Sequence, residues 1–335
     1  MPELSIIIVS FNTRDLLRKC LESVETAAAD INHEIIVVDN ASSDDSVGMV
    51  RSYFSNIKVH ENDQNVGFSR AVNQGIKSSS NAGFIALINS DTVIPKDTFT
   101  KFVDYLKKND KVAMVGPQLV GKDGRMQDSA GYKPSLEAAL RQIAGWGALR
   151  GTPRGLRIRA KPKEGIQSVD WLAGTCVVIK QKAIDQAGLL DDKQFMYAED
   201  IEYGLRLRRA GWQLHLLPNV RVVHFGGASS TTVAHINLLW LGSYFCIASS
   251  LGQLKGFRYC LFGLFLTTSF FVRFLAVLAM KLTSQGRQRF KSKDLELFAY
   301  TRTALQLSLH NTKYAYSFCS ELEAKYRGSS LKGSI

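Results

Sequence analysis

Three short polar clusters carry residues of this 335-residue chain that could bind or react: Ser10-Phe11-Asn12, Asp39-Asn40-Ala41-Ser42 and Asn89-Ser90-Asp91. Each ends an apolar run. Together they read as one ligand crevice, because open α/β sheets bind beyond the carboxyl ends of their strands. Asp39 and Asp91 bring carboxylates there, hard oxygen donors that suit a divalent cation or a ligand's N–H. Downstream stand an adjacent acid pair, Glu199-Asp200, and a lone His224 before two glycines. A carboxylate can take the proton of an attacking hydroxyl. Acids at a helix start are also favoured by the macrodipole and by capping. His224 reads equally well as a polar strand terminus.

Periodicity shows which elements must position these residues. Leu4–Ser10 (LSIIIVS) is the continuous apolar run of a strand buried on both faces. Further strands are predicted over 34–39, 58–60, 84–89, 112–115, 169–171, 176–179, 213–217 and 221–224. Helices are predicted over 13–28 with Thr13 as cap, from 44, over 68–77, over 97–107 and from 199–200. Asp44 is expected to cap the second of these. This alternation predicts an α/β fold with a doubly wound, mostly parallel sheet flanked by helices. The acid-free, Gly- and Pro-containing stretch 141–163 reads as a long loop.

In the order SFN (10–12), DNASSDD (39–45), NVGFSRAVNQG (65–75), NSD (89–91), WLAGTCVVI (171–179), YAEDIEYGLRLRRAGW (197–212) and HFGGAS (224–229), the chain resembles family 2 glycosyltransferases. It is most similar to the bacterial rhamnosyltransferase-like subgroup. The resemblance implies a GT-A fold, a nucleotide-diphosphate sugar donor, a divalent metal (Mg²⁺ or Mn²⁺) and an inverting displacement. It makes Asp200 the catalytic base, with Glu199 orienting the acceptor or its neighbour. Asp91 and His224 become the metal contacts. Asn89 stands where the family usually has the first acid of D-x-D, so Asp91 is the only carboxylate at this motif. The donor side comprises Ser10, Phe11, Asn12, Asp39, Asn65, Gly67, Arg70, Asn89, Ser90 and Asp91, with Asp39 accepting from the N3–H of uracil or thymine. Trp171, Gly174 and Tyr197 face the acceptor, although a buried Trp is more often core.

Composition narrows the rest. Apolar residues make up 45%, which excludes a disordered or collagen-like chain. Five scattered cysteines without a C-x-x-C argue against a disulfide framework or a thiolate zinc site and fit a reducing compartment. The start, Met1-Pro2-Glu3-Leu4, has no basic n-region, so the catalytic part is expected inside the cell. Of the net charge of +12, residues 1–251 hold +3 and residues 252–335 hold +9. With apolar stretches at 236–251 and 259–280, this predicts a GT-A domain over 1–235 and a helical, basic, membrane-docking region over 236–335.

The second stretch is long enough to span a bilayer. Lys255, Arg258, Ser269 and Arg273 nevertheless fall within ~60° on a helix, which favours a helix lying in the interface, peripheral or shallowly inserted. The expected partners are a dTDP- or UDP-linked sugar, a lipid-linked oligosaccharide acceptor and an anionic membrane surface, with a homo-oligomer possible. The first-choice donor is dTDP-rhamnose, then UDP-hexose or UDP-galactofuranose, at the cytoplasmic side of a bacterial inner membrane in O-antigen or capsule assembly. One aromatic, Trp146, in the basic loop makes nucleic-acid stacking a poor fit. A catalytically silent scaffold is the rival of another class. A nucleotidyltransferase would show a Gly-rich N-terminal loop, and residues 4–12 contain no Gly.

Overall fold

The computed structural model describes residues 1–136, 164–192, 198–226, 243, 245–248, 254–282, 293–309 and 321. The predicted loop 141–163, Tyr197, Cys319 and most of 236–251 lie outside them. Among the described residues, nine strands form one sheet in the order β3-β2-β1-β4-β10-β6-β11-β5, with β8 also on β11. The strands are β1 (Leu4–Ser10), β2 (His33–Asp39), β3 (Lys58–Glu61), β4 (Phe84–Asn89), β5 (Thr92–Val93), β6 (Val112–Val120), β8 (Gln167–Val169), β10 (Cys176–Lys180) and β11 (Gln213–His224). β7 (Ala130–Gly131) and β9 (Trp171–Leu172) make a separate antiparallel pair.

β1 is parallel to both β2 and β4, β2 to β3, and β6 to β11. β10 runs antiparallel between β4 and β6, while β5 and β8 run antiparallel to β11. The sheet is therefore mixed: β1, β2, β3, β4, β6 and β11 run one way and β5, β8 and β10 the other. Where two strands were expected over 213–217 and 221–224, one strand continues through a register shift between Leu217 and Arg221, at Pro218. Proline has no N–H for the ladder, so the strand bulges instead of ending.

Helices α1 (Arg14–Ala28), α2 (Ser46–Tyr53), α3 (Phe68–Ser78), α4 (Thr98–Lys108), α5 (Gln181–Ala187) and α6 (Glu199–Arg209) cover the sheet's edges and faces. On α1, Leu17, Cys20, Leu21, Val24, Ala27 and Ala28 make one buried stripe. It packs with Phe99, Phe102 and Leu106 of α4 on Ile6, Ile8, Val37 and Ile88 of the sheet. Ala71 of α3 packs on the opposite face, at Ile36 and Val38. Each such buried side chain contributes roughly 1.5–3 kcal/mol, which holds the strand ends still. Cys20 and Cys176 belong to this core, and burial pushes the Cys20 thiol up to about 12, so it stays protonated.

The expected cap at Thr13 is corrected. Its side chain makes no cap bond, and the first N–H of α1, from Arg14, goes to Asp44 Oδ2 at 2.8 Å. Asp44 Oδ1 accepts from Ser46 N–H and Oγ at the start of α2. One carboxylate thus serves two helix starts, which frees the Thr13 hydroxyl for the strand-end loops.

A second unit contains α7 (Phe257–Met280) and α8 (Lys293–Leu309), which pack together. Its inner side mixes large apolar residues (Phe262, Leu266, Phe270 and Leu307) with the buried hydroxyls of Thr267, Ser269, Thr303 and Ser308, and Gly263 lies against Ser308. Leu264, Phe271, Leu275 and Leu278, one helical stripe, are exposed together with Phe298 and Leu305 of α8. Of the predicted polar stripe, Ser269 is buried rather than facing outward, Arg258 is exposed, and Lys255 is exposed but precedes the helix. Among the described residues no helix is long and apolar enough to cross a membrane.

Glu34 ties the far end of the sheet. It accepts from Ser5 Oγ, Lys58 Nζ and the N–H and Oγ of Ser80, joining β1, β2, β3 and the segment after α3. Burial alone would raise its pKa, but these donors outweigh it and lower it to about 2. Its stabilisation is therefore complete above the unfolded value of 4.5 and lost as pH falls toward 2. Glu34→Gln is expected to lower stability by about 1–3 kcal/mol at neutral pH, and acid titration of both proteins should bring their unfolding curves together.

Candidate functional site

The carboxyl ends of β1, β2 and β4 are stitched side to side by short polar bonds. Thr13 Oγ1 donates to Ser90 Oγ at 2.8 Å and lies 3.1 Å from Ser10 Oγ, linking β1 to the turn after β4. Asn12 N–H donates to Ser42 Oγ, and its Oδ1 accepts from Ser43 N–H, linking β1 to the loop after β2. Asp39 is buried and holds that loop through Ser42, whose N–H and Oγ bond its two oxygens at 2.8 and 2.6 Å. Burial raises the Asp39 pKa despite those donors. Each oxygen keeps a second lone pair for a ligand donor. Phe11 is half-buried beside them.

The next layer is α3. Asn65 Oδ1 accepts from Gly67 N–H, and Gly67 C=O accepts from Asn40 Nδ2. Gly67 holds φ +89°, a conformation that favours glycine. From this helix, Asn73 bonds both backbone groups of Leu190, donating to its C=O and accepting its N–H at 2.9 and 3.0 Å. Arg70 Nε donates to Asp192 C=O. That bond ties α3 to the segment that follows Leu190. Arg206 of α6 adds bonds to the carbonyls of Ala187 and Leu189.

Asp200 stands in the first turn of α6. Its Oδ1 accepts from Ile201 N–H at 2.8 Å, and its Oδ2 faces Gly174 N–H at 3.4 Å. Half-buried Glu199 precedes it. The neighbouring Thr175 C=O accepts from Asn89 N–H, so residues 174–175 join the acid pair to the β4 end. Gly174 also lies within reach of Phe68 at the start of α3. Trp171 is buried, its Cα and Cβ against Gly204 of α6, where a Cβ would meet Asp170 C=O at 2.7 Å. Its place is thus in packing that sets the height of α6. Asn12, Ala41 and Ala198 all hold left-handed φ, a strain of about 1–3 kcal/mol each, concentrated in the loops of the site.

Asp91 and His224 meet because β5 pairs with the end of β11, Thr92 opposite His224. Asp91 C=O accepts from Phe225 N–H, and Asp91 Oδ2 from Gly226 N–H at 3.1 Å. This leaves Asp91 Oδ1 3.5 Å from His224 Nε2. Asn89 Oδ1 is buried without a hydrogen-bond partner. Sequence reasoning missed Gln127, whose amide bonds both the His224 ring and its carbonyl. It lies outside every quoted motif, and only the fold brings it to β11. Among the described residues no group of three His, Cys, Asp or Glu side chains converges.

A family model described as glycosyl transferase family 2 matches residues 5–181. The chain is 26% identical over 234 residues to an N-acetylglucosaminyl-diphospho-decaprenol L-rhamnosyltransferase of Mycobacterium tuberculosis, covering 66% of this chain and 75% of that one. It is 26% identical over 229 residues to the rhamnosyltransferase WbbL of Escherichia coli, covering 66% and 82%. Among solved structures it is similar to a mannosyltransferase of Pyrobaculum calidifontis in complex with GDP-Man and Mn²⁺, with a TM-score of 0.55, 17% identity and coverage of 92% and 87%. At that identity the likeness speaks for the fold alone, a GT-A fold.

Asn73 tests how the approach to α6 is held. Asn73→Ala removes both bonds to the Leu190 backbone, at about 1–3 kcal/mol. Hydrogen exchange at the Leu190 amide should accelerate about 5- to 150-fold, while amides of β1 and β4 keep their rates.

Proposed function

The chain belongs to glycosyl transferase family 2, and from that premise we propose that it transfers L-rhamnose from dTDP-rhamnose to a sugar carried on a lipid through a diphosphate. The carrying observation is the convergence of Asp91 Oδ1 and His224 Nε2 at 3.5 Å; two positions before Asp91, Asn89 Oδ1 is buried and unbonded. Hard oxygen and imidazole donors of this kind fit a divalent cation such as Mg²⁺ or Mn²⁺. Two protein ligands suffice where diphosphate oxygens and water complete the shell. When bound, such a cation neutralises the charge that gathers on the departing diphosphate.

The remaining steps belong to this chain's own side chains. Asp39 accepts the pyrimidine N3–H, with Asn12 and Phe11 beside the base. Asp200, whose Oδ2 faces Gly174 N–H at 3.4 Å, is the carboxylate that receives the acceptor hydroxyl. As that oxygen forms its bond to the anomeric carbon, the bond from this carbon to the phosphate oxygen breaks on the opposite face. The hydroxyl proton passes to Asp200. Glu199 and Gly174 orient the acceptor. The rhamnosyl choice rests on the names of the two relatives. Uracil and thymine share the edge that Asp39 reads, so UDP-hexose and UDP-galactofuranose are the other arms of a donor screen.

The α7–α8 unit extends this reading to a membrane. Besides its buried apolar side it exposes a second one, Leu264, Phe271, Leu275 and Leu278 of α7 with Phe298 and Leu305 of α8, more apolar surface than a helix pair immersed in water presents. Small and hydroxylated residues at a helix contact are what apolar surroundings favour. Lys255, Arg258 and Arg302 are exposed on the same unit, and an anionic leaflet attracts each basic residue by about 1 kcal/mol. We place the enzyme at the cytoplasmic leaflet, docked shallowly, in assembly of a surface polysaccharide such as O-antigen.

Two measurements bear on these proposals. Asp200→Asn should bind dTDP or UDP as the wild type does, by calorimetry, and lose about 10²- to 10⁴-fold in transfer. A wild type that turns over no sugar nucleotide with either cation would identify a silent scaffold instead. Phe271→Asp combined with Leu275→Asp should abolish flotation with vesicles containing anionic lipid, and unchanged flotation would remove the docking assignment.

A further inference from the structure

Gln127 is partly buried in the segment between β6 and β7, and its side chain touches His224 twice. Gln127 Nε2 donates to His224 C=O at 2.9 Å, and Gln127 Oε1 lies 2.8 Å from His224 Nδ1. The orientation of the amide follows from chemistry. A carbonyl only accepts, so the NH₂ group must be the one facing it. The amide oxygen therefore faces Nδ1, and since an amide oxygen only accepts, Nδ1 must carry the hydrogen. In a neutral ring the lone pair then sits on Nε2, the nitrogen 3.5 Å from Asp91 Oδ1. Free neutral imidazole in water favours the opposite tautomer, with hydrogen on Nε2, which would turn an N–H toward the Asp91 carboxylate and offer no electron pair.

We propose that Gln127 is the positioning residue that locks His224 in its Nδ1–H tautomer, so that Nε2 and Asp91 Oδ1 face one another as electron-pair donors for a single cation. Its second bond, to the backbone of the same residue, fixes the ring angle about β11 as well as the proton. This rests on the cation reading of Asp91 and His224 given above and adds a residue that takes no part in touching substrate. Loss of such an outer partner typically lowers metal affinity 10- to 100-fold.

The test reads the tautomer before any metal is added. Long-range ¹H–¹⁵N spectra of the full-length, metal-free chain in mildly alkaline buffer, with the His224 signals assigned by their absence in His224→Asn, should show Nδ1 protonated and Nε2 unprotonated. In Gln127→Leu the hydrogen should move to Nε2, and the affinity for Mn²⁺ alone, followed by the spin signal of the free ion, should fall about 10- to 100-fold. Gln127→Glu keeps an acceptor at Nδ1 but gives up the bond to His224 C=O, so it should retain the tautomer, which the same spectra read directly, and a shift of the hydrogen to Nε2 in this variant overturns the inference. It also decides the matter if Gln127→Leu does not fold. A wild type that binds Mn²⁺ with Nε2 protonated overturns this inference alone, as does a folded Gln127→Leu with undiminished affinity. A wild type that shows the Nδ1–H tautomer but binds no Mn²⁺ overturns the cation reading, and with it the purpose assigned to Gln127, while leaving the tautomer itself supported.

Discussion

A backbone ladder two residues long sets the geometry on which this site depends. Asp91 leaves β4 at the middle of the sheet, and His224 ends a strand that enters from its far side. Only the antiparallel pairing of Thr92 with His224 and Val93 with Val223 brings them face to face. The pairing is reinforced at the residue that matters, because Asp91 uses its own carbonyl and one carboxylate oxygen to hold Phe225 and Gly226. Gly226 can turn its N–H onto that oxygen because it holds φ +70°, where a side chain would be strained. The other carboxylate oxygen is left pointing at the imidazole. Reactive geometry here comes from hydrogen bonds that have already been made elsewhere on the same two residues.

The same economy runs through the loops around it. Strand ends buried in a packed sheet move little, and the side chains above them bond across strands. Ser10, Thr13 and Ser90 form one chain, and Asn12, Ser42 and Asp39 another. Left-handed Asn12, Ala41 and Ala198 are affordable only because such networks over-determine them. The approach to α6 is treated likewise, with Asn73, Arg70 and Arg206 all gripping backbone between Ala187 and Asp192. An enzyme that must place a base opposite a leaving group gains from holding both ends of that axis before its ligands arrive.

How much of this was readable in advance depends on the range of the interaction. Continuous apolar runs such as LSIIIVS and FIALIN made β1 and β4 legible, and with them the clustering of Ser10, Asp39 and Asp91, since a parallel sheet leaves its strand ends on one side. Thr13 was misread because capping is a local rule. A carboxylate thirty-one positions away, Asp44, supplied the cap instead. Two strands were expected over 213–217 and 221–224, yet β6 offers a continuous partner and the ladder tolerates a bulge. Ser269 of the polar stripe expected on α7 is buried for a related reason, since the angle between side chains on a helix does not reveal which of them the fold will cover. Gln127 was invisible altogether, a glutamine in a polar segment until β11 arrives beside it. Motif resemblance reached the first contacts of the site and stopped there, because outer contacts are chosen by topology.

An acceptor carried on a lipid diffuses in two dimensions, and an enzyme that must meet it benefits from residing at the same surface. Residence need not be tight. A single modest apolar contact binds a bilayer reversibly, and stable docking takes a second signal such as a basic patch. The α7–α8 unit carries both kinds of group, an outward stripe of Leu264, Phe271, Leu275 and Leu278 together with exposed Arg258 and Arg302. Without an apolar medium, that stripe would be an aggregation hazard that the buried hydroxyls of Ser269, Thr303 and Ser308 do nothing to relieve. With one, the arrangement is self-consistent: buried hydroxyls bond within their own helices, as Thr267 does to Gly263 and Ser308 to Leu305, and the exposed Leu264, Phe271, Leu275 and Leu278 meet acyl chains. The exposed apolar stripe is thus better explained by the surroundings of the fold than by its core, and on the proposed function those surroundings are where the acceptor's lipid is.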